Sequence, residues 1–102
     1  MTTENHPQEP RLLPWAGQDG KPCYLIGDGH GPVTDLADEL EELQLRTAIE
    51  VLDHSRATLN QPEAPAPTEL LFITNRLTES LSDAVRVADS RGRRLEQALH
   101  AP

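Results

Sequence analysis

The sequence predicts a mainly α protein: a β-hairpin over residues 11–27, then two long antiparallel helices over 32–60 and 68–100, joined by a Pro-rich turn at 61–67. Three observations predict it. Apolar residues recur three and four apart from Val33 to Leu59 and again from Leu70 to Leu99, the spacing that holds side chains on a helix face at about 100° per residue. Pro62, Pro65 and Pro67 separate the two runs, and no helix continues through three prolines. Ahead of them, two short apolar stretches flank Gly17-Gln18-Asp19-Gly20, a composition suited to a hairpin loop with a left-handed residue.

Taken in order, residues 1–10 hold polar residues and two prolines without apolar periodicity, too little to offset the entropy of ordering, so they are expected to form a disordered tail. Residues 11–102 make one small domain. In the hairpin, Pro14 and Pro22 confine the strands to edges or starts. Trp15, with either Cys23 and Leu25 or Tyr24 and Ile26, should face the helices, because alternate residues point opposite ways. Gly27-Asp28-Gly29-His30-Gly31 joins strand to helix, and Pro32 suits the first helical turn, where its missing N–H is no loss.

In the first helix Val33, Leu36, Leu40 and Leu43 form one apolar set, and Leu45, Ile49, Leu52 and Leu59 a second. The step from Leu43 to Leu45 turns the direction by roughly 200°, so this helix needs two neighbours. After Pro67, a stripe through Leu70, Ile73, Leu77, Leu81, Ala84 and Ala88 supplies one of them. Gly92 is either the end of that helix or a weak point inside it. An antiparallel reversal at 60–67 levels positions whose numbers sum to about 127, setting Leu43 near Ala84 and Leu52 near Ile73 or Leu77. It also brings Arg91 and Arg93 or Arg94 near Asp35, Asp38 and Glu39, as exposed ion pairs that favour register more than stability.

Composition narrows the function classes. With 102 residues and a net charge of -8, general attraction to nucleic acid or to an anionic membrane is not expected, since both call for excess Lys and Arg. Cys23 is the only cysteine, so no internal disulfide forms and a cytoplasmic location is expected. No stretch approaches the roughly 20 apolar residues of a membrane span. Only 3% of residues are aromatic, which leaves Leu, Ala, Ile and Val to build the core and suits packed helices better than a sheet.

The residues with chemistry to offer are few. A strand, glycines and a helix start, in that order, is the setting of phosphate cradles, yet the spacing is Gly-x-Gly-x-Gly and Asp28 and the acidic first turns repel an anion. Cys23, Asp28 and His30, with Asp53-His54 beyond, are all types that ligate transition metals, but their spacing follows no structural zinc pattern. Nucleophilic catalysis by Cys23 would need His30 or His54 within hydrogen-bond reach and an oxyanion site. The carboxylates of the first helix read as a solvated face. No metal, cofactor or catalytic residue is expected.

The run Pro14-Trp15-Ala16-Gly17-Gln18-Asp19-Gly20-Lys21-Pro22-Cys23-Tyr24-Leu25, with the acidic helix behind it, resembles small uncharacterised proteins of high-GC bacteria; the resemblance implies no activity and assigns no site residue. The sequence as a whole reads as a non-catalytic protein-interaction or regulatory module. It is expected to form a homodimer, a four-helix bundle built through Leu45, Ile49, Leu52, Phe72 and Val87, or to take an unidentified protein partner. Two alternatives are a small ligand- or metal-binding protein using Cys23, Asp28 and His30 in the Gly27–Gly31 loop, and an acidic mimic of nucleic acid.

Overall fold

A computed structural model describes residues 10–100; apart from Pro10, the expected tail lies outside the described residues. The chain runs β1 (Arg11–Ala16), a 3-10 turn (Gln18–Gly20), β2 (Pro22–Leu25), α1 (Pro32–Leu59) and α2 (Pro67–His100). The hairpin followed by two long helices is therefore present, with overall extents of 69 × 29 × 20 Å. Most of that length is α2, whose 34 residues span about 50 Å at 1.5 Å per residue.

β1 and β2 pair antiparallel, Arg11 with Leu25, Leu12 with Tyr24 and Ala16 with Pro22, and the register is irregular between Leu12 and Ala16. Pro14 lies in that interval and has no N–H to give a ladder. Asp19 and Gly20 turn the chain in left-handed backbone, at φ 61° and 72°. On β2, Cys23 and Leu25 are half-buried, whereas Tyr24 and Ile26 are exposed, which selects the first of the two pairs offered by strand alternation.

Leu12, Leu13 and Pro14 are all buried, a continuous run rather than an alternation, because the outer edge of β1 lies on the helices. The carbonyls of Leu12 and Pro14, two residues apart and so on one strand edge, accept hydrogen bonds from Ser90 Oγ at 2.7 Å, Gln44 Nε2 at 2.7 Å and Arg86 Nη1 at 3.4 Å. An edge that would otherwise be open to pairing with another chain is thus covered.

α1 begins after Gly31, whose φ of 114° is left-handed backbone that a side chain would strain. Pro32 takes the first helical position and the Asp35 N–H donates to the Gly31 carbonyl at 3.0 Å. Gly92, for which two placements were open, sits within α2.

The seam between the helices takes in Leu77 alone of the leucines in the expected stripes. On α1 it runs through Thr34, Ala37, Glu41, Gln44, Ala48, Val51 and Ser55, all buried or half-buried and spaced three and four apart without a break. On α2 it runs through Ile73, Leu77, Ser80, Ala84, Val87, Arg91 and Arg94, again at heptad spacing. Val51, Ile73, Leu77 and Val87 fill the contact, and the small members between them, Thr34, Ala37, Ala48, Ser55, Ser80 and Ala84, let the two backbones approach closely. Their hydroxyls need no partner from across the seam: Ser55 Oγ, for example, donates to the Val51 carbonyl at 2.7 Å. The first apolar set is correspondingly displaced, with Leu36 57% and Leu43 50% exposed, and in the α2 stripe Leu81 and Ala88 also face outward. The periodicity located the helices correctly and chose the wrong stripe on α1, whereas on α2 it was right at Ile73, Leu77 and Ala84 and wrong at Leu70, Leu81 and Ala88.

Candidate functional site

Glu41 is the most buried ionisable side chain that the seam contains, at 1% exposure. Its Oε1 accepts from Arg91 Nε at 3.1 Å and Arg94 Nη2 at 2.9 Å, and its Oε2 from Arg11 Nη2 and Arg94 Nη1, both at 3.2 Å. Arg11 also reaches Asp38 at 2.7 Å and Arg91 reaches Glu42 at 3.3 Å, so three guanidinium groups face three carboxylates. Arg94 Nη1 donates further to Ser90 Oγ. Burial alone would push the Glu41 carboxyl up. The hydrogen bonds from Arg94 and Arg91, the charge of Arg94 and the hydrogen bond from Arg11 outweigh it and hold the carboxyl below its ordinary value. Arg91 moves up in turn, chiefly through its bond to Glu41.

This arrangement corrects two expectations. The arginines near the end of α2 do meet the amino-terminal part of α1, but at Glu41 and Glu42 instead of Asp35 and Glu39, and Arg93 pairs within its own helix with Asp89 at 3.0 Å. Nor is the acidic face of α1 wholly solvated. Glu41 lies in the unbroken spacing that links Thr34 to Ser55, and that spacing was the signal available for it. With both oxygens saturated, Glu41 offers no lone pair to a substrate; it ties α1, α2 and β1 together.

Lower in the pair, a cleft of about 210 Å³ opens between the helices, lined on α1 by Thr47, Glu50, Val51, His54 and Ser55 and on α2 by Phe72, Ile73 and Arg76. Its floor is apolar and its rim charged, with Arg76 bound to Glu79 of its own helix at 3.2 Å. That Val51 and Ser55 share the cleft with Phe72 and Ile73 agrees with the expected antiparallel register, with Val51 rather than Leu52 turned inward.

The cleft also fixes the sides of the pair. At 100° per residue, His54 on α1 and Phe72 on α2 both lie about a quarter-turn to the same rotational side of their seams, and in an antiparallel pair an equal offset places residues on the same side. Arg86 and Ser90, which hold β1, share that offset. The hairpin and the cleft therefore occupy one side, the front. Leu45, Ile49, Leu52 and Leu59 of α1, and Leu70, Leu81, Val85, Leu95 and Leu99 of α2, carry the opposite offset and form the back. Leu45 is half-buried and the others are exposed, Ile49 to 59%, Leu81 to 66% and Leu99 to 73%.

Of the five residues expected at an interface, Leu45, Ile49 and Leu52 share this back surface. Phe72 is exposed but turned to the front, in the cleft. Val87 is a correction: it is 2% exposed, because heptad spacing from Ile73 and Ser80 carries it into the chain's own seam. The loop residues are not gathered into a site. Asp28 Oδ1 accepts from the His30 backbone N–H at 3.0 Å, a local turn, while Cys23 is half-buried on β2 beside Gly17. Among the described residues no group of three or more His, Cys, Asp or Glu is placed to hold a metal ion.

Among the described residues no helix is long and apolar enough to cross a membrane. No family model matches the chain, and neither a curated protein nor a solved structure matches it.

Proposed function

We propose that this chain is a non-catalytic protein-interaction or regulatory module that acts in the cytoplasm as a homodimer, docking through the back of its helix pair. One observation carries the proposal: of the described residues, the contact between the helices holds only four large aliphatic side chains, Val51, Ile73, Leu77 and Val87, among small, polar and charged ones, while Ile49, Leu52, Leu81, Val85, Leu95 and Leu99 stand exposed together on the back. Soluble monomers rarely keep a contiguous apolar patch of more than a few hundred Å² in water. Leu81, Val85, Leu95 and Leu99 on α2, continued by Ile49 and Leu52 on α1, offer such a patch opposite the hairpin. A second helix pair laid on it completes a four-helix bundle, in which the aliphatic residues become the central layer.

Light scattering over a wide concentration range, with Leu81→Glu and Leu36→Glu in parallel, tests the proposal. The expected mass is twice 11.3 kDa at high concentration, with dissociation by Leu81→Glu on the back and not by Leu36→Glu on the front of α1. A chain that stays at 11.3 kDa at every concentration removes the homodimer.

A further inference from the structure

The cleft on the front of the helix pair carries opposite charges that face each other without bonding. Glu50 lies four residues before His54 on α1 and Arg76 four residues after Phe72 on α2, so each stands one turn along the face its neighbour occupies. Because the helices run in opposite directions, both steps lead the same way along the cleft. Glu50 and Arg76 therefore stand level on its two walls, one turn above His54 and Phe72. Among the described residues Glu50 nonetheless makes no hydrogen bond or ion pair, and Arg76 donates from Nη1 to Glu79 of its own helix at 3.2 Å. The rest of that guanidinium has N–H groups left to donate. Thr47 is half-buried on the same wall as Glu50. Thr58, Thr74 and Thr78 each donate to the carbonyl four residues back, whereas the Thr47 hydroxyl has no partner among the described residues.

We propose that this cleft binds a free apolar α-amino acid of about the size of leucine. Its ammonium lies on Glu50, its carboxylate on Arg76 and the Thr47 hydroxyl, and its side chain on Val51, Ile73 and Phe72. Opposite charges on the two walls match a ligand with an ammonium and a carboxylate on one carbon, and an ion of a single sign would leave one wall without a counterion. A zwitterion is also neutral, so the net charge of -8 does not repel it as it would a simple carboxylate. Between the walls the cleft is apolar. Val51 and Ile73 are buried beneath it, and Phe72 stands 60% exposed at its edge, a ring that a ligand side chain would take out of water. Volume bounds the ligand: an apolar cavity of about 150 Å³ holds benzene, and drug-sized ligands need upwards of about 300 Å³. A cleft of about 210 Å³ thus suits one branched or aromatic side chain with its head group. The site lies on the opposite side from the aliphatic back and stands whether or not the chain dimerises. It gives a regulatory module an effector.

The test titrates the isotope-labelled full chain with L-leucine and follows its amide signals by NMR. Three analogues are titrated in parallel: isoamylamine lacks the carboxylate, isocaproate lacks the ammonium, and N-acetylleucinamide carries neither charge. The expected result is saturable shifts confined to residues 47–55 and 72–76, with a Kd on the order of 1 mM or tighter. Each analogue should bind about tenfold more weakly or worse, the loss that one charge-assisted hydrogen bond carries. Glu50→Gln and Arg76→Gln alter exposed side chains and should keep the parent's circular dichroism. The first should weaken leucine and isoamylamine and leave isocaproate unchanged; the second should weaken leucine and isocaproate and leave isoamylamine unchanged. Analogues that bind as tightly as leucine, or leucine binding unaffected by both variants, overturn the recognition of the head group. Shifts outside the cleft, or none up to about 10 mM leucine, overturn the site. A wild-type chain that is monomeric throughout removes the homodimer and changes neither result.

Discussion

Glu41 and Arg94, 53 residues apart in the chain, meet at 2.9 Å with the carboxylate 1% exposed. A buried ion pair is weak evidence for stability, because desolvation offsets much of the attraction, but removing one partner leaves buried charge uncompensated. Glu41→Gln should therefore destabilise the fold by about 3 kcal/mol, the low end for a broken buried pair because Arg91 and Arg94 keep access to water. Urea unfolding measures it, and a shift under about 0.5 kcal/mol, the scale of a surface change, contradicts the burial.

The same carboxyl sets the acid limb. Its folded value lies below the ordinary 4.5, so between the two values the unfolded chain binds more protons and stability rises with pH. The contribution of Glu41 is complete above the unfolded value and is lost as pH falls through the folded one. Thermal melts from pH 7 down to pH 3 should show wild type losing its advantage over Glu41→Gln at the acid end; parallel melting curves would refute the linkage.

The seam and the leucines can be separated by mutation. Val87→Ala should cost about 2 kcal/mol and Ala37→Leu about 1–3 kcal/mol, one by leaving a void and the other by overfilling a residue with 0% exposure. Leu36→Ala on the exposed front of α1 should stay within about 0.5 kcal/mol. The reverse ranking would place the contact on the leucines.

Ile49→Glu distinguishes an outer face from an inner one. The side chain is 59% exposed on the back of α1, so the variant should keep the helical circular dichroism of the parent. Loss of helicity at all concentrations would make Ile49 part of the monomer's own packing.

The helices, their reversal and the hairpin were legible because prolines, glycines and a 3.6-residue repeat act locally. Which stripe of α1 meets α2 was not, because a count of apolar residues favours Leu36, Leu40 and Leu43 over Thr34, Ala37 and Glu41. Small residues win at a close contact by letting the backbones approach, and they bring less hydrophobic area than a leucine, so a scan for apolar residues passes over them. Glu41 was hidden for the same reason: its type says solvent, and only the unbroken spacing with Ala37, Gln44 and Ala48 says otherwise. Val87 differs from Phe72 by its place in that spacing, although both are large and apolar.

The covered edge of β1 has a kinetic consequence. Ser90 meets Leu12 across 78 residues and Arg86 meets Pro14 across 72, whereas the helix pair closes through a turn of only a few residues. Loops of that length cost more entropy to close, and rates fall as contacts become less local. The strands have no surface to settle on until both helices are side by side, so docking of the hairpin comes last. In stopped-flow refolding, Trp15 fluorescence, which reports on β1, should lag behind far-ultraviolet ellipticity.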